Sequence, residues 1–218
     1  MENKVLAWHF LRDDGSYCNN DSKLCPSGLE IIDTSRYPLE LYTWGLHASC
    51  NLLDALECAR GCLLRRVELS GEIVKYRNEV CATRRRELWR MNIAGILHGF
   101  GHWCAKRAIK HLHEPCPQFE EALKMKQMWL RYECDNETLR KMHWKMQNNQ
   151  ENETSVMFVV DMAISFNALI AGRGSSRYLQ QLVMEETGDY SAMRRERSMH
   201  CRKLLTMVKK VREERNYD

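Results

Sequence analysis

The sequence predicts an α+β protein: a small β-rich N-terminal module with one helix, packed on a helical C-terminal module. Three observations predict it. Up to about residue 90, apolar residues fall in short runs bounded by turn signals such as Arg12-Asp13-Asp14-Gly15. From about Met91 they recur at three- and four-residue steps, the period of helices that bury one face. Four prolines and eleven glycines in 218 residues leave no stretch that reads as a linker, so the modules, 1–90 and 91–218, should adjoin directly.

In chain order, Val5 to Leu11, Leu29 to Ile32 and Leu39 to Leu46 read as strands. Ser49 is placed to cap a helix that carries Leu52, Leu53, Leu56 and Ala59, and Gly61 to end it in the left-handed conformation. Cys62 to Leu69 makes a strand that continues as Ile73 to Tyr76 beyond a kink at Gly71, and Glu79 to Arg85 adds one more. The helical half begins with Ile93, Ile96, Leu97, Phe100, Cys104, Ala108 and Leu112 and stops at Pro115 and Pro117. Helices follow from Phe119 to about Glu133, and from a cap at Asp135 or Asn136 to Met146. After the polar loop Asn148 to Asn152, an apolar helix runs from Ser155 to Ala171, and another from Ser175 or Ser176 to Glu186. The last is a charged amphipathic helix from Ser191 to Arg215.

Composition limits the function classes. A net charge of +4 is too weak for a dedicated nucleic-acid binder and of the wrong sign for a DNA mimic. The basic clusters Arg84 to Arg86, Arg194 with Arg195 and Arg197, and Lys209 with Lys210 and Arg212 have acidic neighbours and read as solvated helix faces. The last helix leaves a nucleic-acid partner as a secondary expectation, behind a protein partner. The apolar run Val156 to Ala171 is too short for a bilayer, and the start has no charged segment followed by an apolar one, so no membrane role and a cytoplasmic location are expected, with the ten cysteines as thiols.

Several motifs resemble one family. Trp8-His9-Phe10-Leu11-Arg12-Asp13-Asp14-Gly15, Gly45-Leu46-His47-Ala48-Ser49, Asp54-Ala55-Leu56 and Val67-Glu68-Leu69-Ser70-Gly71-Glu72-Ile73-Val74 are similar, in order and spacing, to an uncharacterised protein family of bacteriophages and prophages. Ala82-Thr83-Arg84-Arg85 and Leu88-Trp89 extend the likeness to roughly the first 110 residues. The resemblance implies a mobile-element origin and no particular reaction. Its first expectation is an accessory protein in the host cytoplasm that binds a host or phage macromolecule and so modulates host defence or metabolism.

A more distant resemblance, to ADP-ribosyltransferases, rests on the histidine-bearing first strand and the later Gly-Leu-His-Ala-Ser strand leading into a helix. It implies NAD as cofactor, with His9, His47 and Glu72 as catalytic residues and Ser49 and Arg12 as ligand contacts. Such a site needs donors for the ribose hydroxyls, a platform for the nicotinamide and a carboxylate to stabilise oxocarbenium charge; Glu68 is the alternative to Glu72. His47 stands where that family has tyrosine. A third expectation is a nucleotide-binding module without turnover in the same pocket. For metal, His98 and His102 share a helical face at i and i+4, but Cys104 lies on the opposite side, so no metal centre is expected.

Overall fold

The computed structural model describes residues 3–17, 25–148 and 155–214. The fold is mixed α+β, with five strands and seven α-helices among the described residues. They form two compact units: one up to Ile93 together with the chain from Val208 onward, the other Ala94–Met207.

The first unit contains β1 (Val5–Leu11) and β3 (Leu46–Ser49), each with adjacent buried residues, and β2 (Leu29–Ile31), which alternates exposed, buried, exposed. In the hairpin of β4 (Leu63–Tyr76) and β5 (Glu79–Asn92), β4 runs through the Gly71 irregularity to Tyr76 as expected, whereas β5 extends well beyond the expected Glu79 to Arg85. All pairings are antiparallel. β1 joins β3 and β4, and β5 joins β3 and β4, so four strands close into a ring, with β2 added along the remaining edge of β5. A four-stranded ring is narrow. Its core is accordingly made of small residues, Ala7, Ala48, Ala82, Val67, Val80 and Leu69.

Three local expectations change. The segment from Leu39 to Leu46 is a turn closed by the bridge Glu40 to Trp44, with Tyr42 at φ 69°, and the strand starts only at Leu46. The short helix α1 (Leu52–Glu57) is capped by Asn51, whose side chain accepts from the N–H groups of Leu53 (2.8 Å) and Asp54 (3.3 Å). Ser49 is instead drawn across the ring, its hydroxyl donating to the Asn78 carbonyl at 3.3 Å. Gly61 is needed for space rather than for a left-handed turn: a Cβ there would lie 2.5 Å from Arg12 Cα. Gly71 does sit at φ 78°, within an irregularity of the β4–β5 register between Ser70 and Ile73.

The second unit contains α2 (Ala94–Ala108), a 3-10 turn (Ile109–His111), α3 (Pro117–Leu130) and α4 (Asn136–Gln147), capped by the Asp135 carboxylate. Then come α5 (Ser155–Ile164), a π-helical turn (Ile170–Gly174), α6 (Ser175–Thr187) and α7 (Tyr190–Glu214), which runs on into the first unit. The polar loop expected from Asn148 to Asn152 lies, after Asn148, outside the described residues. The long apolar helix is broken at Ser165. Asn167 restarts it, its side chain accepting from Leu169 N–H at 2.9 Å and Ile170 N–H at 3.1 Å. The restarted helix does not stop after Ala171: the chain passes through the π turn directly into α6. That turn packs tightly on α2, where a Cβ on Gly101 would meet the Ala171 carbonyl oxygen at 2.3 Å.

Candidate functional site

Register places a row of charged side chains side by side on the ring. His9 of β1 pairs with Arg65 of β4, which pairs with Arg90 of β5. Beyond a bulge at Arg66/Val67, Glu87 lies opposite Val67 and Arg85 opposite Leu69; Glu30 of β2 then pairs with Arg85. Side chains two apart on a strand share a face, so the β-strand period and one bulge gather these groups.

Arg65 is fully buried. It donates to Glu30 Oε1 at 3.0 Å and Glu87 Oε2 at 3.3 Å, turns Nη2 to His9 Nδ1 at 3.2 Å, and reaches the Cys25 sulfur. Arg85 grips Glu30 with two bonds, Nε to Oε1 (3.0 Å) and Nη2 to Oε2 (2.7 Å), and gives Nη1 to the His47 carbonyl at 2.7 Å. Arg90 donates to Glu87 Oε1 at 2.6 Å. The Tyr17 hydroxyl donates to Glu30.

The electrostatics follow from these contacts. Burial alone would raise the Glu30 carboxyl, but the hydrogen bonds and charge of Arg85, with Tyr17 and Arg65, outweigh it and hold it below its ordinary range. Burial, then the charges of Arg85 and Arg65, push His9 far below the usual imidazole range, so it stays neutral and its Nδ1 accepts from Arg65. Burial and the Glu30 contact raise the Tyr17 phenol. Each Glu30 oxygen therefore receives donors from an arginine, and the lone pair of His9 points at a guanidinium. The carboxylates of this ionic network and His9 Nδ1 are all engaged by arginines, while Arg90 Nη2 is buried without a hydrogen-bond partner among the described residues.

The residues predicted for NAD divide accordingly. His9 belongs to the network. His47 is half-buried, its Nε2 accepting from the Tyr42 N–H at 2.9 Å, and burial lowers it against the hydrogen bonds of Glu40 and Gly45. It fastens the turn before β3. Ser49 is buried, with Glu79 Oε1 at 3.4 Å as well as the Asn78 carbonyl. Arg12 is half-buried in the turn that follows β1, its N–H donating to the Ser16 carbonyl at 3.0 Å. Glu72 is exposed at the Gly71 irregularity, where its N–H meets Thr83 Oγ1 at 3.1 Å. The carboxylates that share Arg65 with His9 are those of Glu30 and Glu87, and Glu30 also binds Arg85, which donates to the His47 carbonyl. Sequence reasoning missed these, and missed Arg65 and Arg85: the latter, read within a solvated run, is 3% exposed. The available signal was an arginine inside the apolar strand Cys62 to Leu69 and a glutamate flanked by Leu29 and Ile31.

The helical unit holds a second network. Ser176 Oγ lies 2.8 Å from His200 Nδ1, His200 Nε2 lies 3.0 Å from Glu196 Oε1, and Arg107 donates twice to Glu196, at 2.8 and 2.7 Å. The order resembles a Ser-His-acid triad. Yet Ser176 and His200 are completely buried, and Gln180 also donates to the serine hydroxyl at 3.1 Å, so this is a core network too. Burial pushes the Glu196 carboxyl up, but His200 and Arg107 bring it down to about 2. An open cleft of about 900 Å³ lies between the start of α2 and the α3–α4 turn, lined by His98, Trp129, Tyr132, Glu133 and Asp135 among others. His98 meets Trp129 edge-on, whereas His102 Nε2 turns to Gln127 at 2.7 Å, so the pair does not converge; no group of three metal-ligating side chains gathers among the described residues.

The outer surface of the first unit has a different character. Leu29 (56% exposed) and Ile31 (64%) point away from the network, on the face that carries exposed Arg84, Arg86 and Leu88 of β5. The adjoining turn adds exposed Tyr37, Tyr42 and Trp44; Trp44 packs on Tyr37 with ring centroids 5.5 Å apart and donates Nε1 to the Asp33 carbonyl at 3.3 Å, which seats it beside the end of β2. Among the described residues no helix is long and apolar enough to cross a membrane. Compared with protein-family models, curated proteins and solved structures, the chain matches none.

Proposed function

We propose that this chain is a binding protein rather than an enzyme: an accessory protein of a bacteriophage or prophage whose N-terminal unit docks a host or phage protein, with modulation of host defence as its expected role. One observation carries the reading. The buried ionisable groups of the sheet unit bond to one another, while Leu29 and Ile31 of β2 stand exposed, and Trp44, packed on exposed Tyr37, sits beside the end of that strand. Exposed apolar side chains gathered in this way mark interaction sites more often than bare solvent contact. The phage origin rests on the motif resemblance of Trp8 to Gly15, Gly45 to Ser49 and Val67 to Val74.

The NAD reading has less support, because the hydrogen-bonding atoms of His47 and Ser49 are engaged within the chain and Glu72 is not among the groups around His9. Calorimetry with NAD at millimolar concentration is expected to be silent; saturable heat would restore the enzymatic and nucleotide-binding readings. The binding reading is tested by affinity purification of the tagged chain from crosslinked infected cells. A protein recovered in stoichiometric amount with the native chain, and lost with Leu29→Lys/Ile31→Lys, is expected. Recovery of no protein above background would overturn it.

A further inference from the structure

The open cleft of the helical unit belongs to neither ionic network, and its lining carries a strained residue. Glu133 N–H donates to the Met128 carbonyl at 2.9 Å and Tyr132 N–H to the Trp129 carbonyl at 3.0 Å, the two bonds of a Schellman motif that ends α3. The left-handed position of that motif, where glycine is the default, is held by Tyr132 at φ 60°. The Tyr132 residue is 96% exposed, so no packing offsets its backbone strain. Strain kept for a side chain that the fold does not use points to a use outside the fold.

The buried part of the lining is unusual as well. His98 is 6% exposed, and its Nδ1 is buried without a hydrogen-bond partner among the described residues. The great majority of buried polar atoms are bonded, so this one has a use for a partner from outside the chain. Room is present: at Gly95, in the first turn of α2, a Cβ would meet nothing within 4 Å. Backbone N–H groups of a first helical turn have no intrahelical acceptor. The Trp129 indole donates to Asn136 Oδ1 at 2.7 Å, which leaves the Asn136 amide N–H groups as donors to the cleft.

Charge narrows the ligand. Glu133 and Asp135 are exposed on the lining and repel an anion. A cation gains little, because Arg131 already holds Glu133 at 2.8 and 2.9 Å and Asp135 is engaged in capping α4. The ring a cation would seek, Trp129, has the Lys126 ammonium 3.9 Å from its centre. An apolar ligand would desolvate these polar groups without bonding to them. A carbohydrate fits: it is neutral, its hydroxyls both donate and accept, and its C–H faces pack on an aromatic ring.

We propose that this cleft binds a neutral sugar, packed on Tyr132 and hydrogen-bonded by Asn136 and the first turn of α2, with His98 in the inner wall. A volume of about 900 Å³ stands at the upper end of the range for small-ligand sites, which favours an oligosaccharide over a single ring. The site lies wholly in the helical unit, so it stands or falls separately from the docking surface of the sheet unit.

The test is a glycan array probed with the full chain, then calorimetry with the strongest neutral oligosaccharide. Tyr132→Gly suits the left-handed position, so it should melt no lower than the native chain while binding about tenfold or more weakly. Tyr132→Phe keeps the ring and should retain most of the affinity. Gly95→Leu fills the open space at the start of α2 and should weaken binding by a similar factor, with the fold intact by circular dichroism. No bound glycan, selection of sialylated or phosphorylated glycans over neutral ones, or an affinity that Tyr132→Gly or Gly95→Leu leaves unchanged would overturn the proposal. Calorimetry with choline and with adenosine is expected to be silent; heat that Tyr132→Gly abolishes would also overturn it, because the cleft would then take a cation or a nucleobase.

Discussion

Lys126 is buried with no carboxylate partner among the described residues, and it should make stability depend on pH in an unusual direction. Its ammonium is completely buried on α3, donates to the Ser165 carbonyl at 2.7 Å where the apolar helix breaks, and lies 3.9 Å from the centre of the Trp129 ring. Burial lowers it from 10.5 to about 7. The unfolded chain holds this proton to higher pH than the folded one, so raising the pH favours folding. The penalty is constant below about 7 and relieved up to 10.5. At about 1.4 kcal/mol per pH unit the whole interval is worth up to about 5 kcal/mol. The Trp129 face favours the charged form and offsets about 1–2 kcal/mol of that, leaving about 3 kcal/mol. Lys126→Met keeps the length and removes the charge, and apolar replacement of a buried ion is often neutral or stabilising. Urea unfolding followed by circular dichroism under reducing conditions, at steps from pH 7 to 10, gives the difference between native chain and variant. That difference should shrink or reverse by about 3 kcal/mol as the pH rises. A difference constant to within about 0.5 kcal/mol would refute the reasoning, because it would mean that Lys126 keeps an ordinary affinity for its proton when folded.

Other expectations follow from the networks and the close contacts. Arg65→Met takes one donor from each of Glu30 and Glu87, which keep Arg85 and Arg90, and should cost about 1.5–3 kcal/mol in urea unfolding, whereas Arg86→Met, on the surface, should cost under about 1 kcal/mol. The Glu196 carboxyl, at about 2 against an ordinary 4.5, contributes stability that is complete above pH 4.5 and is lost as the pH falls toward 2; Glu196→Gln should remove most of this acid dependence, about 3 kcal/mol at most. Gly101→Ala drives a methyl group into the Ala171 carbonyl and should destabilise by about 1–3 kcal/mol by thermal melting, while the same change at Gly95, where a Cβ meets nothing within 4 Å, should not destabilise. His47→Ala should abolish hydrogen-exchange protection of the Tyr42 amide and cost about 1 kcal/mol in urea unfolding.

The sequence made β1, β2 and most helices legible because each carries its own period and punctuation: Val5–Leu11, the Gly188 stop at φ 61°, and the Asp135 cap all act within a few residues. What it hid depends on distant chain. Ser49 is a good local cap, but strand pairing with Glu79 turns its hydroxyl to Asn78, and Asn51 caps two residues later. The helix expected through Ala171 breaks at Ser165, whose carbonyl receives Lys126 from another helix. The charged network was hidden for a related reason. Arg85 sits between Arg84 and Arg86, and only the bulge between Arg66 and Val67, together with Glu30 arriving from 55 residues away, decides that the middle arginine is buried while its neighbours are exposed.

The same distant pairings bear on how histidine should be read as a marker of chemistry. His9 accepts from Arg65, His47 fastens the Tyr42 turn, His102 meets Gln127, and His200 joins Ser176 to Glu196. Each of these partners lies within the chain, and so the two histidines expected at an NAD site, His9 and His47, each make internal hydrogen bonds. A further expense of this fold is apolar. Leu29 and Ile31, a little over half exposed, each forgo roughly 1–2 kcal/mol of burial on a short edge strand whose charged residue, Glu30, is turned inward. A surface used by a partner has a reason to keep both side chains exposed, whereas a catalytic pocket elsewhere in the unit would supply none.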